Sequence, residues 1–363
     1  MPSRPQHFGW LVSPYTAKTR SYLAYKGIDV DDRVPGLIRL GWTIRRAVGR
    51  VIMPTVRLPN GTWLQDSSVI LDHFEALSPK LSITPSGAVQ RLASALIDLF
   101  ADEWLPMAAL HYRWSIPANK RFALHEFASS ALPHLPGPLA LRLVRPMAAK
   151  MQSYLPLLGV TSTTAPGVEE TVQQTLQAAE QTLCQHPYLL GDRPCTADFS
   201  LFGPLWAHLY RDPGTTALFD PFPALVRWMK RLQSGSHPEI GDFLPNDQIP
   251  TSLLPLFDCI LQDQLPWIHS LVHAIDAYCE SHANATRVPR SLGTAGFQIR
   301  GREGERKLVT FVQWKAQRAR QAYEDAAGKA DSWLATAGST APQQTIPTIA
   351  HPLKIVDFKP VLV

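Results

Sequence analysis

A short apolar run, Phe8-Gly9-Trp10-Leu11-Val12, gives way at Ser13 to a mixed polar and apolar stretch. That switch predicts a strand, a turn, and then a helix over Thr16–Lys26 that stops at Gly27. Asp29–Val34 reads as a weak second strand, and residues 35–50 as an irregular or helical connection carrying Arg39, Arg45, Arg46 and Arg50 among Leu37, Ile38, Leu40, Trp42 and Ile44. Val51–Leu58 is rich in β-formers but contains Pro54, which suits a strand start or an edge. Asn60-Gly61 is a strong hairpin signal, and Thr62-Trp63-Leu64 supplies the return strand. Gln65-Asp66-Ser67-Ser68 then caps a helix with Ile70, Phe74 and Leu77 on one stripe, ending before Pro79.

Beyond a linker at 79–85 the pattern is helical. Thr84-Pro85 has the form of a helix start, and Leu92, Leu96, Leu99 and Phe100 form the following stripe. The helical pattern continues through Trp104 and, after Pro106, to His111-Tyr112-Arg113-Trp114. Residues 115–165 are proline-rich and include Leu139–Met147, which reads as a packing element, a lid or an interfacial amphipathic helix. The helix opened by Thr196-Ala197-Asp198 is apolar nearly all round (Leu201, Phe202, Leu205, Trp206, Leu209), the mark of a central helix, and Pro204 predicts a kink in it. Pro221–Leu232 is a further helix. In the last third, Leu253–Tyr278 predicts helices broken at Pro266, Phe297–Arg300 a short strand, and Arg306–Tyr323 a basic helix with a solvated face. The tail after Gly338 reads as irregular, with 353–358 docking as an extended segment.

The chain has 363 residues, enough for two or three domains. Its 45% hydrophobic content can fill sizeable cores, and 18% charged residues with a net charge of +5 is only mildly basic. That balance argues against a nucleic-acid partner. Cys184, Cys195, Cys259 and Cys279 are scattered, with no CxxC pair, so neither a zinc site nor a dithiol centre is expected. No apolar run reaches the roughly 18 residues that a membrane span needs, and the first residues lack a signal-peptide pattern. The expectation is a cytoplasmic protein with reduced thiols and no metal.

Three motifs stand in order: Ser13-Pro14-Tyr15 at a helix start, Met53-Pro54 before a hairpin, and Gln65-Asp66-Ser67 at the next helix start. Singly, each has a plainer use as a cap or an edge proline. Together they resemble the thioredoxin-like domain of the glutathione S-transferase superfamily, of the type with Ser at the active-site turn, as in tau, zeta and omega-like classes. Tyr188–Phe199 (YLLGDRPCTADF) resembles the element that starts the core helix of the transferase helical domain, with Cys195 where the family places Ser or Thr. The resemblance implies an α/β thioredoxin-like domain at 1–80, an all-helical domain at 81–245 with an insertion at about 115–165, and a mostly helical extension at 246–363 that matches nothing in the two-domain pattern.

For the site, the resemblance implies that Ser13 hydrogen-bonds the sulfur of glutathione. Tyr15 is a rival donor, Met53 and Pro54 align the tripeptide, and Asp66 and Ser67 hold its γ-glutamyl end. Trp104, His111, Tyr112, Arg113 and Trp114 are candidates for the second-substrate pocket, although aromatics at helical spacing are commonly core. Glutathione would be co-substrate, a small electrophile its partner, and a homodimer is compatible with the family. No Cys precedes Cys184, so this domain cannot supply a nucleophilic thiol. A non-catalytic binding or scaffold protein of the same fold is the alternative reading.

Overall fold

The computed structural model describes residues 3–237 and 240–363. The first strands and helices are β1 (Gln6–Phe8), α1 (Pro14–Tyr25), β2 (Asp31–Arg33), α2 (Arg45–Val48), β3 (Thr55–Arg57), β4 (Trp63–Gln65) and α3 (Ser67–Leu77). Helices follow at α4 (Ala88–Glu103), α5 (Pro106–Ser115), α6 (Pro117–Ala131), α7 (Gly137–Gln152), α8 (Tyr154–Leu157), α9 (Ala165–Leu183), α10 (Thr196–Pro204), α11 (Pro223–Ser234), α12 (Leu254–Asp258) and α13 (Leu265–Ser281). The chain ends with β5 (Ser291–Ile299), β6 (Arg302–Val309), α14 (Phe311–Asp325), α15 (Lys329–Thr336), α16 (Pro342–Thr345), β7 (Leu353–Val356) and β8 (Lys359–Leu362). Two compact units result. The first comprises Met1–Ile83, Ala109–Ser153 and Asp198–Ile240; the second comprises Thr84–Ala108, Tyr154–Ala197 and Gly241–Val363.

In the first unit, β1 pairs with β2 in parallel and with β3 antiparallel, and β3 pairs antiparallel with β4, giving the order β2-β1-β3-β4. This small mixed sheet with its helices is the thioredoxin-like architecture expected from the sequence. Val56, Ile70, Leu71 and Tyr22 are buried between sheet and helices. Leu77 is an exception: it ends α3 and is exposed. Residues 39–44 wind as a π-helical turn that runs into α2.

The core helix α10 stops at Pro204 and the chain continues as a π-helical turn over Leu205–Tyr210. Proline lacks the N–H for an α-helical bond and its ring crowds the preceding turn, so the winding changes there. Asp198 is fully buried and accepts from the Trp228 indole at 2.9 Å, tying α10 to α11.

In the second unit, α4 starts at Ala88, later than Thr84-Pro85 implied. Its free N–H groups at Val89 and Gln90 are taken by the Asp247 carboxylate, each at 2.8 Å. The cap is thus supplied from far along the chain. Pro266 does not break a helix; it lies in the first turn of α13, where proline is tolerated, after a π-helical turn at Cys259–Gln264. Phe297–Arg300 belongs to a longer hairpin, β5–β6, whose turn residues Arg300 and Gly301 both have positive φ. Arg306–Val309 is therefore strand, and the basic helix begins only at Phe311. The tail forms the β7–β8 hairpin.

The basic helix is also less solvated than expected. Lys315 is buried against Asp102 at 2.6 Å. Arg306 lies between the rings of Trp104 and Trp267, at 4.6 and 4.5 Å from their centroids.

Three histidines of the first unit are held neutral. His7 is fully buried, its Nδ1–H donating to Asp32 at 2.7 Å and its Nε2 accepting from Thr19 at 2.8 Å. Burial lowers its pKa. Burial and the Arg231 charge lower His237 to about 4. His208 is lowered well below its ordinary value, chiefly by burial. Below about pH 6.5 the unfolded chain takes up protons at these sites that the folded chain refuses. Stability is therefore full above that pH and falls as pH drops, for His237 down to about 4. Urea midpoints measured across this range should decline steadily on acidification. In a second test, Asp198→Ala strands the Trp228 donor and should destabilise the protein by about 1.5–3 kcal/mol, read from chemical denaturation.

Candidate functional site

The site begins with one row of the sheet. Thr55 pairs with Phe8 on one side and with Gln65 on the other. Phe8 ends β1, Thr55 starts β3, and Gln65 ends β4. The turn that leads to Ser13, the Met53-Pro54 step and the Asp66-Ser67 helix start therefore all leave from the same end of the sheet. The Met53–Pro54 peptide is cis.

Ser13 is the N-cap of α1. Its extended backbone (φ −91°, ψ 121°) leaves the helix, and its Oγ accepts from the Thr16 N–H at 3.2 Å. Pro14 occupies the first helical position, where no N–H is needed. With Oγ acting as acceptor toward Thr16, the hydroxyl hydrogen remains available for a ligand. Gly9 has to be glycine, because a Cβ there would collide with the Thr16 side chain. Gly203 on α10 does the same for the helix start: a Cβ would come within 2.6 Å of the Pro14 carbonyl oxygen.

Beneath the turn lies a buried polar clamp that the sequence did not announce. The Val12 carbonyl, one residue before Ser13, accepts from Arg113 Nη1 at 3.1 Å and from His208 Nε2 at 2.9 Å. Arg113 also grips Asp212 through Nε at 2.8 Å and Nη2 at 2.6 Å, and donates to the Ala207 carbonyl at 2.7 Å. Arg113 is 2% exposed and Asp212 fully buried. Burial raises the Asp212 carboxyl, with Arg113 opposing. His208 stays neutral because both burial and the Arg113 charge disfavour its cation.

At the third corner, Asp66 has φ 82° and ψ 135°, a backbone conformation costly for any residue with a Cβ. Its carboxylate caps α3 by accepting from the Ser68 N–H at 2.8 Å. Ser67 is buried, and its Oγ has no hydrogen-bond partner within the chain. The same holds for Thr55 Oγ1 and Thr16 Oγ1. Buried hydroxyls are ordinarily bonded, so these three are unusual in lacking a partner.

The sequence-derived candidates fall into two sets. Ser13, Tyr15, Met53, Pro54, Asp66 and Ser67 gather at this sheet end, with Ser13, Tyr15, Met53 and Asp66 partly exposed. The five pocket candidates, Trp104 just after α4 and four on α5, do not act alike. Trp104 belongs to the second unit and is packed against Trp267, Phe297 and Arg306. Arg113 is engaged in the clamp. Trp114 is buried against Phe127, and His111 is buried with Nδ1 at 3.2 Å from Ser115 Oγ. Tyr112 stays partly exposed. Thr16, Thr55, His208, Asp212 and Gly203 escaped the sequence reading; hydroxyls and an acid with no local motif carry no signal until the sheet register and helix packing are known. Among the described residues, no group of three His, Cys, Asp or Glu side chains is placed to hold a metal ion.

A thioredoxin-like sheet thus brings a Ser-capped helix, a cis-proline and a polar helix start to one end. Residues 12–77 match the glutathione S-transferase N-terminal domain family, and residues 147–234 match the glutathione S-transferase C-terminal domain family. Both domains of the glutathione S-transferase superfamily are thus matched within this chain, over fewer than half of its residues. Among solved structures it is similar to the β-etherase LigF of Sphingobium sp. strain SYK-6, at 18% identity over 65% of this chain and 97% of that one, with a TM-score of 0.44. It is also similar to the tau class glutathione S-transferase MiGSTU of mango, Mangifera indica, at 16% identity over 70% and 97%, with a TM-score of 0.43. A glutathione S-transferase of Methylobacillus flagellatus KT with glutathione bound matches at 19% identity over 62% and 93%, with a TM-score of 0.38. No curated protein matches the chain.

The clamp makes a testable statement. Arg113→Met leaves Asp212 buried without its partner and should destabilise the protein by about 3–5 kcal/mol. The double variant Arg113→Met/Asp212→Leu should recover a large part of that loss in the same denaturation assay.

Proposed function

We propose that the sheet-end site binds glutathione and uses its thiolate to conjugate or isomerise a small electrophile. The observation that carries this reading is the Phe8–Thr55–Gln65 row, which delivers three separate segments to one place. Glutathione supplies the nucleophilic sulfur, which this domain has no cysteine to provide. Ser13 donates its hydroxyl hydrogen to that sulfur, and the start of α1 favours the anion through its field. Backbone groups of Met53, set by the cis bond to Pro54, align the cysteinyl peptide. Ser67 Oγ and the N–H groups at the start of α3 receive the γ-glutamyl carboxylate. Tyr15, in the first turn of α1, flanks the sulfur.

In conjugation, the sulfur forms a bond to the electrophilic carbon and the leaving group departs with its electron pair. Tyr112, the most open of the α5 candidates, is assigned to the second substrate. The reading places this chemistry in the cytoplasm, where glutathione is held reduced, and gives it a role in detoxification.

Ser13→Ala should lower turnover of a model electrophile by about tenfold to a hundredfold, the worth of one hydrogen bond to a charged group. It should also raise the pKa of the bound thiol, read from ultraviolet thiolate absorbance. Ser67→Ala should weaken retention on immobilised glutathione while leaving the fold intact. Failure of the unaltered protein to be retained, or full activity in Ser13→Ala, overturns the proposal; retention without turnover would assign the site to binding alone.

A further inference from the structure

Two segments of the first unit share an unusual composition. Residues 34–50 carry Arg39, Arg45, Arg46 and Arg50 with no acidic residue. Residues 132–153 carry Arg142, Arg145 and Lys150, again with none. The nearest preceding acids, Asp31 and Asp32, are already engaged, the first by Arg33 and the second by Arg20 and His7. Neither segment holds an acid of its own to set against Arg39, Arg45, Arg46, Arg142 and Arg145.

The apolar side chains between those cations face solvent. Ile38 is 87% exposed and Trp42 65%. Val34 is exposed, as are Leu135, Leu139 and Leu143, which recur every fourth residue into and along α7. The opposite face of α7 is buried through Ala140, Val144 and Ala148. Arg46 stacks over the Trp42 ring at 4.4 Å.

The two segments meet. A Cβ on Gly36 would lie 3.2 Å from the Ala131 carbonyl oxygen and 4.0 Å from Pro133 Cδ. Trp10 fixes the same junction, donating to the Pro35 carbonyl at 2.8 Å and packing on Phe127 of α6. Val34 and Ile38 on one side and Leu135 on the other each stand two residues from this junction.

We infer that this seam, formed by residues 34–50 with residues 132–153, docks on an anionic lipid surface. Charge complementarity selects the partner: exposed arginines on segments that hold no acid attract negative headgroups, and each near the surface adds to binding. The apolar side chains stand singly between cations, which suits insertion at the boundary of headgroups and acyl chains. Trp42 is of the type that anchors at that boundary, and the arginine stems can lie along it while their heads reach phosphate. No helix among the described residues is long and apolar enough to cross a membrane, so the association is peripheral.

Flotation of the full chain with vesicles tests this. The chain should float with phosphatidylcholine vesicles containing phosphatidylglycerol, stay behind with phosphatidylcholine alone, and be released by added salt. Trp42→Ala and the pair Arg142→Glu/Arg145→Glu should each weaken partitioning by at least about tenfold while circular dichroism stays unchanged. Should a variant misfold, the salt release and lipid selectivity of the unaltered chain still decide. Equal binding to both vesicle types, or binding to neither, overturns the proposal. So does a stable dimer in sedimentation that Trp42→Ala dissolves, since the face would then belong to a second copy of the chain.

Discussion

Everything at the candidate site depends on Thr55 being paired on both sides. It is the point where β1, β3 and β4 share a row, and the row sits at the end of each strand that continues into a functional segment. A slip of one residue in either pairing would turn the Thr55 side chain to the opposite face and separate the serine turn from the two other segments. The orphan hydroxyls of Thr16, Thr55 and Ser67 follow from the same geometry: they are buried by the sheet and helices, yet no chain atom is left to satisfy them.

The serine turn is held from below as well as from the sheet. Arg113 and His208 both donate to the carbonyl of Val12, and Arg113 carries Asp212 with it into the interior. A buried ion pair of this kind contributes little net stability against an apolar replacement. What it provides is direction: a carbonyl gripped by two donors cannot rotate without leaving both unsatisfied in a dry environment. The second unit uses the same device. Arg300 is bonded to Asp258, Asp263 and Gln174, Lys315 to Asp102, and Arg306 is fitted between indoles. Burial pushes the Cys259 thiol up to about 12, against the opposing pull of the Arg300 charge, so it is a packing residue rather than a nucleophile.

Several departures from the sequence reading share one cause, a partner distant in the chain. The start of α4 was read at Thr84-Pro85, because a hydroxyl followed by proline is a local signal; the actual cap is Asp247. The start of α10 also gains a distant partner, since the hydroxyl of Ser94 on α4 accepts from the Ala197 N–H at 3.2 Å. The last residues of β6, Arg306–Val309, were read as the front of a helix, because charged residues have helix-forming propensity and the Arg300-Gly301 turn lacks the Asn-Gly signature. Lys315 and Arg306 were read as solvated, since charge alone gives no hint of a buried acid or a pair of indoles waiting for it.

By itself the sequence determined the thioredoxin-like and helical architecture, the order of the two helix starts and the proline step between them, and the cis-proline position. These are local matters: caps, a hairpin signal, apolar periodicity and φ restrictions act over a few residues and are written in them. Only the tertiary structure decided which strand ends share a row, which hydroxyls are left without partners, that Arg113 supports the serine turn instead of lining a pocket, and that two acid-free segments far apart in sequence meet at one seam. Those outcomes depend on register and packing between residues separated by tens to hundreds of positions, for which a single chain read in order holds no signal.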